Sequence, residues 1–227
     1  MSFRQTKLLA LALCGTALAM PASAALTIHS APFIGTPTWS TGFESLGDIT
    51  GADGVNSYSE DGISVNYVGD GFIWSTSQPT PDGLYSWYPD AGGTGYTSFT
   101  FDDATEFELL VGSGWFDGSG MLAYDVLLDG VSIGTGIAGG VPAYGNGWTT
   151  YGFSGATFDE VRLQVASGAT GFDPAVYEAG AYDAVKIVAG AGPVVPEPAT
   201  WALMIAGFAC VGGLLRRTAS QRHAHMA

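Results

Sequence analysis

Leu122-Ala123-Tyr124-Asp125-Val126-Leu127-Leu128-Asp129-Gly130-Val131-Ser132-Ile133 is the stretch that decides the fold class. Leu122, Tyr124, Val126 and Leu128 recur at every second position, which puts them on one face of a strand. Asp129-Gly130 then interrupts the run. These two residue types accept the left-handed backbone that a two-residue hairpin turn requires. Val131-Ser132-Ile133 resumes the alternation, so the stretch predicts a β-hairpin. The same period recurs outward from it. Ile63, Val65 and Tyr67 share a face, as do Phe107, Leu109 and Val111. Val161, Leu163 and Val165 form another, with Arg162 and Gln164 expected to point outward, and Val185 and Ile187 close the series. No comparable helical period precedes residue 200. Many short strands between Gly, Asp and Asn turns predict an all-β domain, an antiparallel β-sandwich or jelly roll. No fixed repeat indicates a solenoid or propeller.

Composition supports a packed domain and narrows its partners. The 227 residues include 34 glycines, and 47% are hydrophobic, which is enough apolar side chain to form a core. Seven Lys+Arg stand against 21 Asp+Glu, a net charge of -14. That balance argues against nucleic acid, whose phosphates need a basic footprint, and against a basic patch for anionic lipid. Between residues 25 and 195 the only bases are Arg162 and Lys186, against 20 acids, a net charge of -18. Cys14 and Cys210 both fall outside that span. The domain must therefore hold together without a disulfide, on its hydrophobic core or with help from metal ions.

The two ends read as processing signals. Arg4 and Lys7 precede the apolar run from Leu8 to Met20, and Ala22-Ser23-Ala24 satisfies the small-residue cleavage rule, so residues 1–24 are expected to be a signal peptide. Lipidation at Cys14 is the alternative; Leu13 just before it is unfavourably large. At the other end Pro196-Glu197-Pro198 precedes the apolar run Trp201 to Leu215 and then Arg216-Arg217. Residues 191–199 are expected to be a Pro/Gly linker, 200–215 a single transmembrane helix with snorkelling arginines, and 216–227 a basic cytoplasmic tail. The domain at 25–190 would then face outward. A buried amphipathic helix is the alternative, but the run is apolar all round.

Pro196-Glu197-Pro198-Ala199-Thr200-Trp201-Ala202, a short apolar helix and Arg216-Arg217 together resemble the PEP-CTERM sorting signal in its PEPxxWA form. The resemblance covers about the last 30 residues. It implies Gram-negative export through the inner membrane and recognition by an exosortase, a membrane-embedded sorting protease. The protein would be membrane-anchored, then placed at the cell surface or in an exopolysaccharide-rich matrix. Tails of the kind it resembles are also called ice-binding-protein C-terminal domains, a name that concerns the tail and implies no affinity for ice. The extension Thr218 to Ala227 is longer than the usual tail. A second resemblance, to jelly-roll carbohydrate-binding modules, rests on Gly42-Phe43-Glu44-Ser45-Leu46 and Ala181-Tyr182-Asp183-Ala184-Val185-Lys186-Ile187.

Little in the domain points to catalysis. His29 is its one histidine, no G-x-S-x-G elbow is present, and cysteine nucleophiles and Cys/His zinc sites have no residues to use. No phosphate-binding glycine motif opens a helix. His29 is expected at a surface or edge. Glycoside hydrolysis needs only two carboxylates, and Glu44, Glu60, Glu106, Glu108, Glu160 and Glu178 are available, but no spacing singles out a pair.

Calcium is the better-motivated cofactor, since it takes several oxygen ligands. Asp183 alternates with Val185 and Ile187, so it is expected on the inward face, with Lys186 pointing away. An inward carboxylate needs a partner or a metal. The jelly-roll resemblance implies a structural calcium between Glu44 and Asp183; the plainer alternative is that Asp183 accepts backbone hydrogen bonds at a strand end. The segment from Asp53 to Gly62 does not fit an EF-hand, and Gly92-Gly93-Thr94-Gly95 lacks the aspartate of a calcium-binding repeat. For ligands, Trp74, Tyr85, Trp87, Tyr88 and Asp90, with Phe72, crowd a Pro- and Gly-rich stretch. Flat rings there could stack on sugars; core packing is the alternative. Trp115 and Trp148 are weaker candidates. The sequence thus predicts a structural or carbohydrate-binding module partnered by polysaccharide. A glycan hydrolase and an acidic protein-interaction domain are the alternatives.

Overall fold

The computed structural model describes residues 25–51, 54–75, 80–90, 94–114, 118–176, 179–190 and 208. The expected signal peptide, the linker with its PEP motif, the transmembrane helix and the basic tail lie outside these residues, apart from the single position 208. So do Trp115 and Glu178. No helix among the described residues is long and apolar enough to cross a membrane.

The described residues are mostly β-strand, as expected of an all-β domain, and the strands pair antiparallel. In order they are β1 (Thr27–His29), β2 (Trp39–Thr41), β3 (Ser57–Glu60), β4 (Ile63–Gly69), β5 (Phe72–Trp74), β6 (Tyr88–Asp90), β7 (Gly95–Ser113), β8 (Gly120–Leu128), β9 (Val131–Gly140), β10 (Thr149–Ser167) and β11 (Gly180–Ala189). The hydrogen-bonded path runs β2-β11-β7-β10-β8-β9, with β1 on β10 and β3-β4 on β7; β5 and β6 form a separate ribbon.

Two 19-residue strands, β7 and β10, organise the fold because each half has different partners. Residues 95–100 of β7 pair with β4, and 104–113 pair with β11. Residues 152–154 of β10 pair with β1, and 160–167 pair with β8. Register shifts between Ser154 and Glu160 break the ladder where β10 changes partners; bulges bend strands in this way. The halves face each other across an aromatic core. Phe99 lies 5.5 Å from Phe107 and 5.7 Å from Tyr182, and Tyr124 lies 4.9 Å from Phe153. The predicted inward runs land in this core, with Ile63, Val65, Tyr67, Phe107, Leu109, Val111, Leu122, Tyr124, Val126, Val161, Leu163, Val165, Val185 and Ile187 all buried. Leu128 is the exception, half-buried past a register shift at Val126/Leu127 that resets the alternation and buries Leu127 instead.

Turn chemistry behaves as the residue types require. Asp129 and Gly130 both have positive φ, 52° and 74°, and join β8 to β9 with Leu128 opposite Val131. A second Asp-Gly turn, at Asp61 (φ 48°) and Gly62 (φ 81°), joins β3 to β4 in the same way.

Two expectations are corrected. Gln164 does not point to solvent. It is fully buried, donating to the carbonyls of Gly95 and Val176 and accepting from the Asp173 amide, because the segment before β11 folds over it. Asp183 is buried, but not on the core face. Ala184 takes a left-handed φ of 47° and the register slips there, so Asp183 faces Leu110 and Lys186 faces Glu108. Positions 108 and 110 share a face, so Asp183 and Lys186 both project away from the core, while Tyr182, Val185 and Ile187 project into it.

Register also locates the ends. Thr27 pairs with Ser154, Ala189 pairs with Ala104, and the Gly190 amide donates to the Asp103 carbonyl. Both ends of the domain therefore leave beside the bends of β7 and β10. The β5-β6 ribbon attaches near the other end of β11, where Trp87 and Tyr182 exchange backbone hydrogen bonds. Seven residues at strand rise separate Tyr182 from Ala189, about 23 Å.

Candidate functional site

Residues 80–90 connect the sequence-predicted acids to the sequence-predicted aromatics. The acids come first. Phe43, in a left-handed conformation (φ 61°), is fully buried and turns the chain into the 3-10 turn Glu44–Leu46. Glu44 then reaches across to residues 82–85. Its Oε1 accepts from the amides of Leu84 (2.7 Å) and Tyr85 (3.0 Å). Gly83 lies against this carboxylate with φ +99°, and a Cβ there would collide with it. From below, Asp183 Oδ2 accepts from the Asp82 amide (3.3 Å) and Oδ1 from the Ala184 amide (2.7 Å). Two carboxylates thus grip one exposed loop by its backbone.

The grip has an electrostatic cost. Asp183 is fully buried. Burial, with the nearby negative charges of Asp82 and Glu44, pushes its carboxyl up to about 7, although its two amide donors pull the other way. Asp82 has no sequence signal beyond an Asp-Gly turn, yet it completes this cluster. Beside it lies a cavity of about 150 Å³ lined by Ser40, Thr41, Asp82 and Lys186 among others. That is below the roughly 300–1,000 Å³ typical of small-molecule pockets.

The fit to calcium is incomplete. Glu44 and Asp183 are brought to the same loop, but the oxygens that bond there are turned to amides. Calcium takes about six to eight oxygens. No group of three or more His, Cys, Asp or Glu among the described residues is arranged to hold a metal ion. Backbone carbonyls, water and the remaining carboxylate lone pairs would have to complete the shell.

The aromatics divide into core and surface. Trp87 is fully buried, with Nε1 donating to Thr97 Oγ1 at 3.3 Å. Tyr88 is also buried, and its ring lies so close over Gly114 that a Cβ there would collide with it. Neither ring offers a face to a sugar, and for both the ligand-binding expectation gives way to core packing. Their backbones stitch the ribbon to β11 and to Trp74. Trp74 and Tyr85 are half-buried. Ile73 is buried, so Phe72 and Trp74 share the opposite side of β5; their rings are 6.2 Å apart and Phe72 is 39% exposed. The Trp74 indole N–H is buried and has no hydrogen-bond partner. Leu84, on the gripped loop, is 70% exposed. Asp90 pairs with Phe72 in the ribbon, and its side chain lies outside what is described. Trp148 is half-buried.

The glutamates mostly tie elements together. Glu108 is buried, with its Oε2 accepting from the amides of Phe33 and Ile34 and its Oε1 from Lys186 at 2.8 Å. Burial alone would raise its pKa; these donors outweigh burial and hold the carboxyl below its ordinary value. Glu60 accepts from Thr41, Tyr58 and Ser45, pinning the 3-10 turn to β3. Glu160 pairs with Arg162 at 2.7 Å, and Arg162 also lies over the Tyr96 ring. Glu106 is half-buried on β7. His29 sits on the short strand β1, stacked on Phe33 with Nε2 2.8 Å from Ser154 Oγ. No carboxylate among the described residues bonds its ring.

No protein-family model matches the chain, and no curated protein matches it.

Proposed function

We propose that this protein is an exported, outward-facing carbohydrate-binding or structural module of the cell surface or matrix, built as a jelly-roll β-sandwich. In this reading the N-terminal signal directs export. The tail with Pro196, Glu197, Pro198, Trp201, Ala202, Arg216 and Arg217 serves sorting by an exosortase and anchoring in the inner membrane. Polysaccharide is the partner, with calcium at Glu44 and Asp183 as a structural ligand. The observation that carries the binding function is the pair of partly exposed rings, Phe72 and Trp74, side by side on the outward face of the β5-β6 ribbon. Aromatic faces beside an acid-gripped loop suit an open platform better than a closed catalytic pocket. The structural duties of Glu60, Glu108 and Glu160 favour binding over turnover.

The test titrates the purified protein against the producer's own exopolysaccharide and a glycan panel, with calcium and then with chelator. Binding without product release is expected. Replacing both Phe72 and Trp74 by Ala should weaken it about tenfold or more, equivalent to about 1.4 kcal/mol. Unchanged affinity in the double variant would overturn the platform. Product release abolished by changing one glutamate would install the hydrolase instead. Calcium dependence lost in Asp183→Ala would support the metal, and its absence in the parent would remove it.

One observation favours a second reading. Both bases of the domain are already engaged, Arg162 with Glu160 and Lys186 with Glu108, so its unpaired charge is negative. A basic protein partner would suit that surface, and its binding would fall steeply with salt.

A further inference from the structure

Asn146-Gly147 lies in the connection between β9 and β10, and both residues are exposed. The backbone there is a turn: the Asn146 amide donates to the Ala143 carbonyl at 2.9 Å. Gly147 has φ +100°, and nothing lies within 4 Å of where a Cβ would stand. Exposure and the open space beside Gly147 leave room for the Asn146 side chain to fold back toward the next nitrogen. The other two asparagines in the chain differ on this point. Asn66 precedes Tyr67, whose nitrogen is committed to the Asn56 carbonyl at 2.9 Å. Asn56 precedes Ser57, whose side chain hinders the approach to its nitrogen that a glycine leaves open.

We propose that Asn146 is a site of spontaneous covalent modification, deamidating through its own backbone. The Gly147 nitrogen gives up its proton to water or hydroxide and attacks Asn146 Cγ. A new N–C bond closes a five-membered succinimide. The bond from Cγ to the side-chain nitrogen breaks, and that nitrogen leaves as ammonia. One water then opens the ring at either carbonyl, leaving aspartate or, with the backbone rerouted through the side chain, isoaspartate. Nothing is oxidised or reduced. The product adds one negative charge to a domain already at -18. The isoaspartate form also puts an extra carbon into the chain just before Thr149, where β10 begins. The connection also carries Tyr144, which is 53% exposed, so the modification alters both the charge and the path of an exposed loop.

The test holds the full-length protein in mildly alkaline and mildly acidic buffer, and follows peptide masses and methylation by an isoaspartyl methyltransferase. Conversion at Asn146 is expected first, faster in alkali, with Asn56 and Asn66 intact in the same digests. Asn146→Gln should abolish the methyl-accepting product, because its ring closure needs a larger and slower ring. Two results would overturn the proposal. In one, a free peptide of residues 141–150 deamidates while the folded protein keeps Asn146 intact. In the other, all three asparagines convert at equal rates.

Discussion

Asp183 is held where a negative charge is unwelcome, and this gives the fold a definite response to pH. Its carboxyl is raised to about 7 by burial and then by Asp82 and Glu44, against an ordinary value of 3.8. A group with a raised folded pKa stabilises the fold when protonated. That contribution is complete below the unfolded value and disappears as pH rises through about 7. Urea midpoints should therefore fall between about pH 4 and about pH 7 and level off above that. Asp183→Asn should remove much of that slope and make the protein more stable than the parent at the higher pH. An unchanged slope in Asp183→Asn would show that the titrating group lies elsewhere. Calcium acts in the opposite direction, because a bound cation favours the carboxylate. If it binds here, its stabilising effect should be larger at the higher pH.

At the scale of elements, β11 owes its two-faced character to one residue. Ala184 in the left-handed region resets the alternation, turning Tyr182 and Val185 to the core and Asp183 to the loop. Such a conformation costs an L-residue with a Cβ about 1–2 kcal/mol. Glycine takes it freely but loses more chain entropy on folding. Ala184→Gly is thus expected to be neutral or to stabilise by up to about 1 kcal/mol, read from chemical denaturation. A loss of stability would mean that the bulge depends on the Ala184 side chain. The Asp-Gly turns behave differently, because glycine already occupies the second position of each. The segment before β11 is held by Gln164, whose amide and carbonyl reach three backbone groups. An outward-facing position became interior because a loop crossed over it.

The whole molecule separates the two ends of its β domain from its candidate face. Ala189 and Thr27 leave beside the bends of β7 and β10, whereas the gripped loop and the Phe72-Trp74 pair lie toward the other end of β11. A chain anchored beyond residue 190 would therefore present the platform away from the anchor. The charge distribution also acts at this scale. With -18 on residues 25–195 and both bases paired, the folded state carries mutual repulsion that salt screens. The melting temperature should rise as sodium chloride is added from low to moderate ionic strength. A flat or falling curve would mean that the acids are locally compensated. Trp87→Ala provides the contrast with the platform rings, since emptying a fully buried indole site should cost about 3–5 kcal/mol whatever its effect on binding.

Alternation of apolar residues was enough to place the strands that line the core, and Asp129-Gly130 was enough to place a hairpin, because both signals are local. Net charge and the shortage of histidine and cysteine were equally legible, being properties of composition. Three things were not. Asp183 changed face because a single left-handed residue shifted the register, which no period-2 count registers. Trp87 and Tyr88 looked like platform residues until β11 and Gly114 closed over them, while Phe72 and Trp74 stayed partly open. Asp82 joined Glu44 and Asp183 only through a loop returning across the sheet. Periodicity tells which residues share a strand face. What covers that face is decided by segments distant in sequence, and here that covering separates the candidate site from the core.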